Sequence, residues 1–155
     1  MIIAPASHED LLAGWRQHWR GEGIVTPRRR YGPAEVHAFA ARDGAGAMAG
    51  LVSFSVHDGL GELVSLNTEA PQQGVGTALM EMAEREARQL GAARMILATT
   101  NNNLGALRFF QKRGYHLVAL HRDAVAGIRR EKPSIPMTDA EGLPIRDLID
   151  LEKTL

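Results

Sequence analysis

A glycine-punctuated turn is the segment of this chain whose residue types and spacing most clearly suggest chemistry. It reads Gln72-Gln73-Gly74-Val75-Gly76-Thr77-Ala78 and joins a strand-like segment at 62–67 to a segment at 77–90 whose apolar periodicity predicts a helix. Glycines let backbone N–H groups approach a ligand closely, and a helix N-terminus adds partial positive charge. The turn therefore suits a phosphate or pyrophosphate, although a tight connection is the more common reason for such a pattern.

The elements around this turn predict an α/β architecture in a single domain of residues 1–155. The residue patterns predict strands at 36–42, 47–57, 62–67, 95–100, 115–120 and 146–153, and helices at 10–20, 77–90, 104–113 and 123–131. A three-strand meander thus precedes the turn, and strand–helix–strand units surround and follow it. Because such crossovers join parallel strands, we expect a mixed sheet with a parallel pair in its middle.

The composition limits the classes of function. The 155 residues are 45% hydrophobic, carry no net charge and include no cysteine. Zero net charge gives no field that would attract nucleic acid or an anionic membrane, so we expect neither partner. The six histidines show no metal-ligand spacing, which predicts no metal. No segment has the roughly 20 apolar residues of a membrane span, and we expect a cytoplasmic protein in which Arg28-Arg29-Arg30 forms a solvated loop.

A second block of residues lies one predicted strand beyond the turn. It reads Asn103-Leu104-Gly105-Ala106-Leu107-Arg108-Phe109-Phe110-Gln111-Lys112-Arg113-Gly114-Tyr115. Together with Gln73–Leu79 it resembles the GNAT superfamily of acetyl-CoA-dependent N-acetyltransferases, over residues 36–121, and the tail at 132–155 resembles small bacterial members of unassigned substrate. The resemblance implies a GNAT-like mixed, mostly antiparallel sheet with a central diverging parallel strand pair, flanked by helices.

The resemblance also implies an activity. It indicates an acetyltransferase that moves the acetyl group of its cosubstrate acetyl-CoA to a primary amine of a small molecule or peptide by direct attack. The alternative is a non-catalytic acyl-CoA-binding or sensing module of the same fold. A nucleotide-binding P-loop is disfavoured because no Lys-Ser/Thr follows the glycines. The sequence identifies neither the acceptor nor the oligomeric state, which is open between monomer and homodimer.

Particular residues would hold acetyl-CoA if the resemblance extends to the site. The cofactor-binding residues that it implies are Leu66, Asn67, Thr68, Gln72, Gln73, Gly74, Val75, Gly76, Thr77, Ala78, Asn103, Ala106, Phe109 and Phe110. Pantetheine amides would pair with the backbone of Leu66 and Thr68, and an N–H near Leu66 would polarise the acetyl carbonyl. Asn103 would hydrogen-bond the pantetheine arm, cap a helix, or do both.

Two positions depart from the pattern of the superfamily. Pro71 stands where Arg or Gln is usual and offers neither that side chain nor an N–H, so Gln72 or Gln73 would have to compensate. Phe110 stands where a tyrosine often protonates the departing thiolate, which leaves water as the proton source or an unassisted departure. Tyr115 occupies a core-aromatic position of the pattern, and we expect it to pack.

Glu62 is the first candidate for a general base that deprotonates the acceptor amine. Strict alternation along its strand would place it on one face with Val64 and Leu66, beside the acetyl group and among apolar neighbours. A solvated or salt-bridged glutamate at a strand end is the competing interpretation. Glu69, His57 and His37 are weaker candidates, because each is typical of a surface loop or strand.

Overall fold

A mixed sheet of seven strands organises the molecule, which a computed structural model describes over residues 1–69 and 74–155. The strands are β1 Ile2–Pro5, β2 Ile24–Val25, β3 Arg30–Tyr31, β4 His37–Arg42, β5 Met48–His57, β6 Leu60–Thr68, β7 Arg94–Thr100, β8 His116–His121 and β9 Leu148–Thr154. The sheet has the order β1-β4-β5-β6-β7-β9-β8, while β2 and β3 pair separately. β6 and β7 are parallel and the other neighbours are antiparallel, which confirms the predicted mixed sheet.

Helices cover both faces of the sheet. They are α1 His8–His18, α2 Val75–Gln89, α3 Leu104–Lys112 and α4 Val125–Glu131. The apolar sides of α2 and α3 pack on one face, in a core that includes Leu79, Met80 and Phe110. On the other face α1 buries Leu11 and Trp15. None of the helices in the described part of the chain is long and apolar enough to cross a membrane.

The structure adds strands that the residue patterns do not predict. β1 pairs antiparallel with β4, and β2 and β3 form a two-residue ribbon in a region predicted to be loop. These strands have four residues or fewer, too few to show an alternation. The closing strand β9 lies between β7 and β8 and pairs antiparallel with both, an order that no local pattern specifies.

The parallel pair in the centre of the sheet separates along its length. β6 pairs with β7 only from Leu60 to Glu62, opposite Arg94 to Ile96. Beyond that point β6 runs on to Thr68 and β7 to Thr100, and these described residues no longer pair with each other. The expected divergence is therefore confirmed, and it leaves one backbone edge of β6 without a strand partner.

A β-bulge sits in β6 where this divergence begins. Ser53 of β5 faces Ser65 and Phe54 faces Leu63, so Val64 is an extra residue between two pairs. Val64 then packs with the α1 core, whereas Leu66 packs with the α2 core. The prediction that Leu66 shares a face with Glu62 and Val64 is wrong, because a bulge breaks the two-residue alternation on which it rested.

Candidate active site

A cavity of about 600 Å³ opens where β6 and β7 diverge. Its walls include Leu63–Leu66 of β6 and Leu97–Thr100 of β7. Residues from both sides of the sheet complete it: Ala106 and Phe110 from α3, and Trp19, Ile24 and Val125 from the α1 side. The split thus connects the α3 side of the sheet to the α1 side. The volume of the cavity lies within the range of small-molecule pockets, about 300–1,000 Å³.

The N-terminus of α2 begins beside this split, at the glycine-rich turn. Gly74 is the N-cap in a left-handed conformation with φ 88°, and a Cβ built on it would meet no atom of the described residues within 4 Å. Gly76 is buried, and a Cβ there would lie 3.2 Å from the ring of Phe109. Gly74 thus supplies the left-handed conformation with which α2 begins, and Gly76 lets α3 pack closely. Pro71, Gln72 and Gln73 lie outside the described residues.

A guanidinium group lies next to the first turn of α2. Arg113 Nε donates to Thr77 Oγ1 at 2.9 Å, and Arg113 Nη1 donates to the carbonyl oxygen of Phe109 at 2.7 Å. The guanidinium carbon is 3.5 Å from the centroid of the Phe109 ring. The Arg113 side chain, which is stacked on Phe109 and hydrogen-bonded to Thr77, fixes a positive charge beside the N-terminus of α2. The side chains of Thr77 and Phe109 are thus engaged with Arg113 and lie outside the cavity lining.

The first residues of α3 border the cavity. Asn103 caps the helix, because its Oδ1 accepts the Ala106 N–H at 3.1 Å, and both residues line the cavity. Phe110 lies two helical turns further on, also in the lining, with 7% of its surface exposed. The Oδ1 of Asn102 is buried in this wall without a partner among the described residues. Tyr115 packs edge-to-face against Phe110 and donates to Glu84 at 2.9 Å.

Asn67 and Thr68, two of the proposed cofactor-binding residues of β6, direct their side chains away from the main cavity: that of Asn67 lies on the α1 side of the sheet, and that of Thr68 lies near α2. Asn67 lies on the α1 side of the sheet, borders a second hollow and donates through Nδ2 to Glu69 at 3.1 Å. The methyl group of Thr68 lies near Gly76, 3.8 Å from the position of a Cβ there. Neither residue lines the main cavity. Leu66 alone of the three lines the main cavity.

Glu62 is buried in an ion-paired cluster. Only 2% of it is exposed, and it lies outside the cavity lining. It accepts a hydrogen bond of 2.6 Å from the hydroxyl of Tyr31 and another of 2.6 Å from Arg28 Nε. The prediction of apolar neighbours for Glu62 is therefore wrong. The competing interpretation, a salt-bridged glutamate, describes this carboxylate. Burial together with the bond to Glu62 raises the pKa of Tyr31 to about 12.

Arg28 also connects the segment between β2 and β3 to the last strand, β9. Arg28 makes two hydrogen bonds to the carboxylate of Asp150, at 3.0 and 2.9 Å, and His121 Nε2 lies 2.6 Å from that carboxylate. Burial raises the pKa of Asp150, but the bonds from Arg28 and His121 outweigh it and hold the pKa below its ordinary value. The prediction of a solvated loop is wrong for Arg28, whereas Arg29 and Arg30 are exposed.

A histidine–carboxylate pair stands at the α1 side of the cavity. Trp15 Nε1 donates to Ser65 Oγ at 3.0 Å and fixes α1 on the bulged strand. One turn later His18 Nε2 lies 3.2 Å from Glu69 Oε1, and His18 lines the cavity. The two residues are 51 positions apart and belong to no motif, so the sequence offers no signal for the pair. His57 and His37, the other candidates, are exposed and lie outside the lining.

The comparisons with known proteins agree with this geometry. A model of the Acetyltransferase (GNAT) family matches residues 5–115. The chain belongs to this family. The uncharacterized protein YdhI of Bacillus subtilis (strain 168) is 33% identical over 159 residues, which cover 100% of this chain and 99% of the relative. The GNAT family comprises acetyltransferases.

Solved structures share the whole fold. An IAA acetyltransferase from Bacillus cereus ATCC 14579 has a TM-score of 0.76 at 18% identity over 99% of both chains. A GNAT family acetyltransferase from Elizabethkingia anophelis with acetyl-CoA bound has a TM-score of 0.73 at 16% identity, over 99% of this chain and 97% of that one. At such identities these neighbours establish the fold and leave the acceptor open.

Proposed function

We propose that this GNAT protein transfers the acetyl group of acetyl-CoA to a primary amine. The observation that carries the proposal is the split between β6 and β7, which opens a cavity through the sheet. The end of β6 lies close to the N-terminus of α2, where Thr68 is near Gly76. A ligand with a pyrophosphate at one end and an amide-containing arm matches both features. The Elizabethkingia anophelis neighbour, whose structure contains acetyl-CoA, supports this choice of cosubstrate.

Four features of the described residues fit coenzyme A. The first N–H groups of α2 have no partner within the helix, and among the described residues no atom lies within 4 Å of a Cβ built at Gly74. The free edge of β6 at Leu63–Leu66 can pair with pantetheine amides as an added strand would. The unpartnered Oδ1 of Asn102 lies in the same wall and accepts an N–H. Arg113 adds positive charge near the phosphates.

The transfer requires a neutral amine and a destination for its proton. An amine with a pKa of about 10 is neutral in only about one part in a thousand at pH 7, so a base assists. We propose His18 as this base, since it lines the cavity and Glu69 orients its ring. His18 first takes a proton from the ammonium group. The neutral nitrogen then bonds to the acetyl carbon as the carbon–sulfur bond breaks, and its second proton passes through water to the departing thiolate, because Phe110 has no proton to give.

In this proposal Glu62 supports the reaction indirectly, by positioning other residues. Its two short hydrogen bonds engage Arg28 and Tyr31, and it is enclosed behind the cavity wall. A carboxylate held in this way orders the segment between β2 and β3, from which Thr26 lines the cavity. Its role is then positioning, and His18 is the better-placed proton acceptor.

Titration calorimetry with acetyl-CoA, CoA and ATP tests the binding half of the proposal. We expect acetyl-CoA and CoA to bind with similar affinity and ATP to bind far more weakly, because ATP lacks the pantetheine arm that pairs with β6. Equal binding of ATP would indicate a simple phosphate site. No binding of acetyl-CoA at millimolar concentration would overturn the proposal.

A further inference from the structure

The half of the cavity on the α1 side, where an acceptor would enter, is mainly apolar. Its walls are built by Trp19, Ile24, Val25, Val125, Ile128 and Ile135. Contact with such walls favours a ligand that removes apolar surface from water, by about 25 cal/mol for each Å². A small, strongly hydrated polycation would lose its solvation there without replacement partners. The walls therefore select an acceptor with an apolar body.

Two cationic side chains stand in this apolar half. Lys132 is 9% exposed and lines the cavity, and its ammonium group donates to the carbonyl oxygens of Trp19 and Gly23. Since a lysine ammonium has three N–H donors, one is left for a ligand. Arg20 also lines the cavity, and its Nη1 donates to the carbonyl oxygen of Ser134 at 2.9 Å. Neither cation has a carboxylate as hydrogen-bond partner among the described residues.

The one acidic side chain among the described lining residues is already engaged by its own loop. Asp139 accepts the N–H groups of Glu141 at 2.9 Å and Leu143 at 3.0 Å, and the Nδ2 of Asn102 at 3.2 Å. The bond from the Leu143 N–H is the largest cause of a pKa of Asp139 below its ordinary value. The carboxylate thus shapes the 139–143 turn and offers little to an acceptor ammonium group, so the half-site is net positive.

We propose that the acceptor is an amine that also carries a carboxylate and an apolar body, such as an apolar amino acid. This rests on the proposed acetyl transfer. The carboxylate pairs with Lys132 and Arg20, the apolar part contacts Ile24 and Ile128, and the amine faces His18. Burial of Lys132 lowers the pKa of its ammonium group, and a bound carboxylate offsets that penalty. Polyamines and other polycations are disfavoured by the same charges.

Matched pairs of acceptors test this inference on the wild-type protein. The rate of free-thiol release is measured with L-leucine against isopentylamine and with L-phenylalanine against phenethylamine, and each member of a pair differs from the other only by the carboxylate. Spermidine serves as the polycation. We expect kcat/KM to be at least about 10-fold higher for each amino acid, since a charge-assisted hydrogen bond contributes more than about 1.4 kcal/mol.

Variants then identify the groups that recognise the carboxylate. Lys132→Gln and Arg20→Gln should raise KM for L-leucine and reduce its advantage over isopentylamine, which has no carboxylate for these side chains to bind. Because Lys132 also donates to two backbone carbonyls, we expect its variant to lose stability, and inhibition of the wild type provides a second test. We expect 4-methylpentanoate, which is leucine without its amine, to compete with L-leucine, and 4-methylpentanol not to compete.

The outcomes separate this inference from the proposed function. Faster transfer to isopentylamine or spermidine than to the amino acids would overturn the carboxylate inference and leave acetyl transfer standing. Equal rates within each pair would also overturn it. No transfer to any amine by protein that binds acetyl-CoA would overturn the proposed function, and this inference with it.

Discussion

His18 combines exposure to the cavity with an orienting carboxylate, and its substitution tests the proton transfer directly. Its ring lies 3.2 Å from Glu69, to which the adjacent Gln17 of the same helix also donates a hydrogen bond. We expect His18→Gln to lower kcat by about 10²-fold, the usual contribution of a general base, with little change in the affinity for acetyl-CoA. The acidic limb of the pH–rate profile should disappear. His57→Gln provides a matched control at an exposed histidine outside the cavity.

Glu62→Gln distinguishes the two candidate bases. If Glu62 positions the segment between β2 and β3, its variant loses stability and keeps the acidic limb, because His18 still accepts the proton. A Glu62→Gln protein that is folded, has lost the acidic limb and turns over about 10²-fold more slowly would assign the proton transfer to Glu62. A normal pH profile in His18→Gln would lead to the same conclusion.

Phe110 lies where a hydroxyl could donate a proton to the leaving thiolate. It lines the cavity, and its ring packs edge-to-face with Phe109 at 5.1 Å and Tyr115 at 5.7 Å between centroids. We expect Phe110→Tyr to raise kcat, most clearly at alkaline pH, where water is a poorer proton source. Thermal unfolding checks that the added oxygen has not disturbed the core. An unchanged rate in a folded variant would show that amine attack limits turnover.

At the scale of elements, the α2 N-terminus makes a specific prediction about charge. Gly74→Asp and Gly74→Asn add side chains of nearly equal size, and both residue types tolerate the left-handed conformation that Gly74 adopts. Calorimetry should show that the aspartate variant binds acetyl-CoA at least about 10-fold more weakly than the asparagine variant, a difference of about 1.4 kcal/mol or more. Equal affinities would mean that the phosphates lie away from this turn.

The elements that carry the GNAT motifs are predictable from the sequence because their signals are local. Asn103 caps α3 with its own side chain, and Gly74 begins α2 in a conformation that favours glycine. Predicted and observed helix ends agree to within about two residues for α1, α2 and α3. Such signals depend on neighbours a few positions apart, and a single sequence contains them in full.

The details of the site depend on contacts that no local pattern records. The bulge at Val64 changes which face of β6 its later residues occupy, and it is specified by pairing with β5. Arg28 lies 34 positions from Glu62 and 122 from Asp150, and the His18–Glu69 pair is similarly remote in sequence. The sequence therefore predicts the elements that we propose to hold the cofactor, whereas the proposed acceptor half and base depend on contacts that only the structure shows.

At the scale of the whole molecule, Asp150 links the central sheet to the segment between β2 and β3. Because its native pKa is below the ordinary value of about 3.9, the ionised form stabilises the fold above that pH. The stabilisation is lost as the pH falls through the native pKa. We expect Asp150→Asn to lower the free energy of unfolding by about 3 kcal/mol at pH 7, as expected for breaking a buried ion pair.

The pH dependence of the difference in unfolding free energy between wild type and Asp150→Asn tests whether the ionisation of Asp150 causes it. Urea unfolding of wild type and Asp150→Asn should show a gap in the free energy of unfolding at neutral pH, which narrows below about pH 4. Asp58→Asn, at an exposed turn position, should show no gap at any pH. A gap that persists unchanged at pH 2 would mean that packing, and not ionisation, accounts for the effect.

Free-thiol release measures most directly whether this protein, as we propose, transfers acetyl groups to amines in the cavity through the sheet. Wild-type protein is mixed with acetyl-CoA, with and without a panel of primary amines that includes L-leucine, and CoA thiol is followed over time. We predict amine-dependent release together with an equal amount of acetylated amine, and about 10²-fold slower release in His18→Gln. Tight binding of acetyl-CoA with no release above the amine-free rate would contradict the claim and indicate an acyl-CoA-binding module.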